Sequence, residues 1–267
     1  MASFSVVSNI SSANAQANLV QTNLGLNKAL NRLSSGFRIN YAGDDAAGLA
    51  VANAYRNDIA IINQGIRNAN DGLSGLQIKD GALSNISTLL DRLATLSTQA
   101  ASGETSAASR ATLNTEFQDV LTEIDREAVV ASLTAITGFS VFISNNGTNG
   151  KVTGSIASTS TTGLALAGQV LTSQVTAQSA VAAVASAVTL LGTAQGTLGV
   201  LQNRLQFAIS LAQSQSVNNR AAESRIRDAN VAEESANLTR FNILSQSGIA
   251  ALSQANQSAS SVLSLLR

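Results

Sequence analysis

At the start of the chain apolar side chains recur at alternating steps of three and four. Val6, Ile10, Ala13, Ala17, Val20 and Leu24 draw one line along a helix, and Leu19, Leu26, Leu30, Leu33 and Phe37 draw a second on a displaced face. The other end repeats the pattern, with Phe241, Leu244, Gly248, Ala251 and Ala255 on one line and Ile249, Leu252, Ala259, Leu263 and Leu266 on another. Two apolar lines on one helix call for neighbours on two sides. A helix of about 40 residues is about 60 Å long, too long for the rest of such a chain to cover. Further copies of the chain are therefore the expected neighbours; the alternative is an antiparallel pairing of the two ends within one molecule.

Between the ends, the spacing predicts a helix from Asp45 to about Ala101 with the line Leu83, Ile86, Leu90, Leu93 and Leu96, stopped at Ser102–Glu104 by a glycine cap. A shorter helix carries Leu113, Phe117, Val120, Leu121 and Ile124, and Leu191, Leu198, Leu201, Leu205 and Ala212 form a heptad-like seam on a third long one. Over residues 137–168 the period changes to two. Phe139, Val141 and Ile143 alternate with small or polar residues, "NNGTNG" follows, and Val152 and Ile156 resume, as in an exposed β-hairpin closed by an Asn-Gly turn. Asn146 fits a glycosylation triplet but is assigned to that turn, and "TGSIASTSTTG" reads as a polar loop rather than a sugar-bearing one. The expected fold class is mainly α: long terminal helices plus an antiparallel helical bundle with a small β-hairpin. Its segments are 1–40 and 222–267 (paired terminal helices), 41–57 (connector), 58–136 and 169–221 (bundle), and 137–168 (hairpin and a short variable segment).

Composition narrows the chemistry. The chain has no histidine, cysteine, proline or tryptophan, so it lacks an imidazole, a thiolate and any disulfide. Hydrophobic residues make up 45% but aromatics only 3%, the composition of helices packed on helices. Formal net charge is zero, which offers nucleic acid no field. The apolar run Ala180–Leu191 is interrupted by Ser186 and Thr189 and falls short of the roughly 20 residues a membrane span needs. The amino end lacks the basic start and apolar block of a cleavable signal. No charged side chain precedes Lys28, and none stands between Arg240 and Arg267. Ends without charge or proline are expected to be buried rather than disordered tails. The absence of proline also suits long helices.

The connector "LSSGFRINYAGDDAAGLAVA" concentrates polar groups. Asp44 and Asp45 are adjacent, so on a helix they point about 100° apart and make no acid–base pair. A joint is the better reading: Gly36 ends the first helix, Gly43 loosens the turn, Asp44 or Asp45 caps the next helix, and Arg38 and Tyr41 are free to bond a neighbour.

These residues carry a family resemblance. "LSSGFRINYAGDDAAGLAVANAY" with "RNANDGLSGLQIKDGALSNIS" resembles the amino-terminal region of bacterial flagellins, and "SRIRDANVAEESANLTRFNILSQSGIAALSQANQSASSVLSLLR" resembles their carboxyl terminus. The match spans about residues 1–128 and 185–267, with an outer segment shorter than in many flagellins. It implies a short structural subunit of the flagellar filament, with no enzymatic activity, no cofactor, no metal, and no nucleic-acid or membrane partner. By this resemblance the terminal helices line the inner filament core, 41–57 is the spoke, and Val6, Ile10, Ala17, Leu24, Leu30, Leu33, Phe37, Phe241, Leu244, Gly248, Ala251, Leu252, Leu263 and Leu266 serve assembly. Export unfolded through a flagellar type III apparatus without a cleaved signal, a chaperone, a filament cap and hook–filament junction proteins follow as partners, with an extracellular flagellum as location. A junction protein or another secreted filament or binding protein is the alternative. The family's Toll-like receptor motif is degenerate: Arg92, Leu96, Gln99 and Glu116 match, but Ala94 and Thr95 replace an arginine and a glutamate, which predicts weak or absent recognition.

Overall fold

The computed structural model describes residues 8–265, with the side chains of residue 148 and of residues 259–265 outside the description. Its elements in order are α1 (Ile10–Ser35), α2 (Ala46–Ala101), α3 (Ala107–Val130), β1 (Thr137–Phe142), β2 (Lys151–Ile156), α4 (Gln174–Arg227) and α5 (Val231–Leu265). The chain forms two compact units, 1–57 with 219–267 and 58–218, so α2 and α4 each contribute to both.

In the second unit the buried line on α4 runs Ala177, Ala180, Val184, Ala187, Leu191, Ala194, Leu198, Leu201 and Leu205, in unbroken steps of three and four. It meets Leu76, Leu83, Ile86, Leu90 and Leu93 of α2 and Phe117, Leu121 and Ile124 of α3 in one apolar cluster. Both α3 and α4 run antiparallel to α2. Asn85 Nδ2 donates to Glu127 Oε2 across α2 and α3, and Ser216 Oγ donates to Asn63 Oδ1 across α4 and α2. Taken whole, α4 is long and apolar enough to span a membrane, which the shorter run from Ala180 does not suggest. Its leucine line is buried in protein, as in the core helix of a bundle.

The end of α2 corrects one expectation. Gly103 has no left-handed φ; the last carbonyls are held from α3, where Arg110 donates Nε to Ala100 O and Nη2 to Ser102 O, both at 2.8 Å. A cationic side chain reaching back from the next helix does what a glycine cap was expected to do.

The hairpin is antiparallel, from Thr137 opposite Ile156 to Phe142 opposite Lys151. Its connection is not a two-residue Asn-Gly turn. Residues 143–150 intervene and include a 3₁₀ turn over Gly147–Gly150, with Ile143 N donating to Gly150 O at 2.8 Å. Nor is the hairpin simply an exposed tip, since Val141, Ile143, Val152 and Ile156 are buried in the bundle core. The hydroxyl-rich segment after β2 is tucked in as well: Thr159, Ser160 and Thr161 are buried, and Thr161 donates N and Oγ1 to the two carboxylate oxygens of Asp125 at 2.8 Å each. Ser160 Oγ donates to Thr134 O, whereas Thr159 Oγ1 is buried without a hydrogen-bond partner; spacing encodes neither.

Candidate assembly surface

In the first unit α1 and α5 lie antiparallel. Asn9 Nδ2 donates to Ala255 O and Ser12 Oγ to Asn256 Oδ1, each at 2.9 Å, and near the other end Arg32 Nη1 meets Glu234 Oε1 at 2.8 Å. The ends therefore do pair within one molecule. At two places along the seam a glycine receives a large side chain. Phe241 sits over Gly25, where an added Cβ would stand 2.6 Å from the ring, and Leu19 sits against Gly248, where it would stand 3.1 Å away.

That pairing sorts the expected residues into two sets. Leu19, Leu26, Leu33 and Phe37 on α1 or just after it, and Phe241, Gly248, Leu252 and Ala255 on α5, are half-buried, while Ala29 is buried. Ile10, Ala17, Val20, Leu24 and Leu30 on α1, with Ile243, Leu244, Ile249 and Ala251 on α5, stay exposed; Leu24 is 59% and Ile249 58% exposed. On α5 the expected grouping is corrected: Phe241 shares its face with Ser245, Gly248, Leu252 and Ala255, whereas Leu244 and Ala251 point outward. Both groupings obey steps of three and four, so only the partner helix distinguishes them. Gly248 is filled by Leu19 of the same molecule and is not open for a neighbour. Val6 and Leu266 lie outside the described residues, as does the side chain of Leu263.

The connector is more tightly bound than a free joint. Gly36 takes the left-handed conformation at φ 74° that ends α1, its N–H donating to Arg32 O at 2.9 Å. It is then stitched to the short break between α4 and α5. Phe37 and Asp228 form an isolated antiparallel bridge, Arg38 N donates to Arg227 O at 2.6 Å, and Ala229 N donates to Gly36 O at 2.9 Å. The Arg227 guanidinium lies 4.2 Å over the Phe37 ring. Arg38, expected to serve a neighbour, instead donates Nη2 to Ile226 O at 2.9 Å, an orphan carbonyl at the end of α4. Tyr41 remains exposed. Gly43 has no positive φ; it leaves room for the Tyr41 ring, which an added Cβ would meet at 2.7 Å.

The two adjacent carboxylates divide their work. Asp45 caps α2, accepting from Gly48 N at 2.9 Å, while Asp44 holds the turn through Asn40 N and lies 3.1 Å from Lys28 Nζ. Burial alone would push the Asp44 carboxyl up, but Lys28 and the backbone amides of Asn40 and Tyr41 hold it below the ordinary aspartate value. Sequence reading missed Ile39, which is buried, together with Arg227, Asp228, Arg32 and Glu234. One signal was present: Asn230, three residues before Glu233, is a helix-start pattern, and Asn230 Oδ1 accepts from Ala232 N at 3.1 Å.

On the second unit, Arg92 is ion-paired with Glu116 and Gln99 is exposed. Leu96 is only 1% exposed and belongs to the core, which removes it from any recognition surface.

The family model for the bacterial flagellin N-terminal helical region matches residues 6–141, and that for the C-terminal helical region matches residues 181–266. A flagellin of Halalkalibacterium halodurans is 37% identical over 97% of this chain and 98% of its own length. The flagellin FlaB1 of Treponema pallidum is 35% identical over the same shares. A crystal structure of Bacillus cereus flagellin aligns with TM-score 0.48 and 28% identity over 59% of this chain and 94% of that one.

Proposed function

Because the chain belongs to the bacterial flagellin family, we propose that α1 and α5 build the inner core of a flagellar filament, the bundle and hairpin its outer layer, and 41–57 the spoke. The protein is a structural subunit that assembles in many copies into the flagellar filament and serves motility; it is not an enzyme. The matched relatives are flagellins and filament core proteins, which does not favour a hook–filament junction role. The observation that supports the core assignment is the exposed stripe left after α1 and α5 have paired: Ile10, Ala17, Val20 and Leu24, with Ile243, Leu244 and Ile249. Burying such side chains contributes about 1.5–3 kcal/mol each. The pairing within one molecule leaves these side chains exposed, so that gain is open to contacts with other copies.

In this reading the chain leaves the cell unfolded through a flagellar export apparatus, with a chaperone before export and a cap protein at the growing tip. Recognition by a Toll-like receptor is weak or absent, because Ala94 and Thr95 supply no charge and Leu96 no surface. Seeded polymerisation, followed by electron microscopy and circular dichroism, tests the assembly reading. Full-length protein is expected to form filaments, whereas a chain lacking residues 241–267, or a full-length Leu24→Glu variant, stays monomeric. Filaments from the truncated chain, or none from the full chain, would overturn the assignment.

A further inference from the structure

The second compact unit carries an apolar surface of its own that the terminal helices do not explain. On α4, Val200, Phe207 and Leu211 fall within about 40° of one another around the helix, opposite the buried Leu198, Leu201 and Leu205. They are 56%, 77% and 60% exposed, and Phe207 is the most exposed large apolar side chain among the described residues. An aromatic so placed marks an interaction surface rather than a stable free one.

One charged residue, the exposed Arg204, lies on this line between Val200 and Phe207, and its guanidinium is engaged. No charged residue stands on α4 before Arg204, and Arg204 is turned back onto the hairpin, donating Nη1 to Thr153 O at 3.0 Å. Just before the ridge, the space above Gly196 and Gly199 is open, since a Cβ added at either would meet nothing within 4 Å. A helix of another molecule can therefore come close beside the ridge. The occupant follows from how the protein works: a filament subunit is surrounded by identical copies. The same unit has a second exposed apolar corner of different build, Val129 and Val130 at the end of α3 with Ile136 before β1. Unlike patches on one body suit head-to-tail contacts, which extend into an open array instead of closing.

We propose that the Val200–Phe207–Leu211 ridge is a contact between copies in the filament, with Phe207 as its anchor. This rests on the filament reading above. The chain has no cysteine, so Phe207→Cys is a unique thiol reporter. Its labelling by a water-soluble maleimide is compared in monomers and in seeded filaments, with Asn146→Cys in the hairpin loop as the comparator. Labelling at 207 is expected to slow about tenfold or more on polymerisation, with that at 146 little changed. Phe207→Ser is expected to keep monomer helicity and raise the critical concentration about tenfold, the loss that follows from leaving one aromatic unburied. Equal labelling at 207 in monomer and filament, or an unchanged critical concentration, overturns the contact while leaving the filament reading intact. If the unaltered chain forms no filaments, the filament reading falls and this contact falls with it.

Discussion

Gly65 offers a test in which two physical effects have opposite signs. It lies inside α2, where replacing glycine with alanine ordinarily stabilises a helix by about 1 kcal/mol. Here the hairpin backbone crosses directly above it: an added Cβ would stand 1.8 Å from Ile143 O and 2.4 Å from its carbonyl carbon. A carbon–oxygen contact needs about 3.3 Å, so the strand would have to move by about 1.5 Å. The segment that must move carries Val141 and Ile143 in the core and the Ile143 N–H bond to Gly150 O. Overpacking of this kind costs about 1–3 kcal/mol and more when backbone must shift. Gly65→Ala is therefore expected to destabilise the bundle by about 1–3 kcal/mol net of the helix gain. Gly75, on the same helix, is the control, because a Cβ there meets nothing within 4 Å. Gly75→Ala is expected to stabilise by about 0.5–1 kcal/mol. Urea unfolding followed by helical circular dichroism reads both as shifts in midpoint at constant slope. If Gly65→Ala proves as stable as the unaltered chain, the hairpin does not sit on α2 as described.

Three further outcomes follow from the first unit. The Asp44 carboxyl is held below its ordinary value, so its contribution is complete above the unfolded aspartate value of 3.8 and is lost as pH falls through the lower folded value. Amide exchange in residues 36–45 is therefore expected to accelerate on acidification below that range, and Asp44→Asn to be fast already at neutral pH. Asp45→Ala removes the cap on Gly48 N and is expected to cost about 1 kcal/mol, seen as faster exchange confined to the first turn of α2. Glu234→Ala leaves Arg32 without its carboxylate where their side chains are 10% and 23% exposed. A loss of about 2–3 kcal/mol, below the roughly 3–5 kcal/mol for a fully buried pair because Arg32 still reaches water, should lower the melting temperature of assembled filaments.

The elements were legible in the residues because period and punctuation are local properties. Steps of three and four placed the α4 seam from Leu191 to Ala212, Gly36 marked the end of α1, and alternation from Phe139 marked the hairpin. The family resemblance rested on the same long terminal segments. What stayed hidden was which of several equivalent faces meets a partner. On α5, Leu244 and Ser245 satisfy the same spacing from Phe241, and only α1, with Gly25 and Leu19 in place, selects Ser245. The connector's second half was also out of reach, since Arg227 and Asp228 lie far along the chain from Phe37 and Arg38 and their bonds are made through backbone atoms that every residue carries. The hairpin's seat on the bundle and the burial of Thr159 to Thr161 depend likewise on long-range packing. The residues by themselves determined helix, strand and break, because those follow from side-chain period and backbone preference. Tertiary structure alone decided which apolar face is spent within the molecule and which is left for its neighbours, because burial is a property of two surfaces and a sequence describes one at a time.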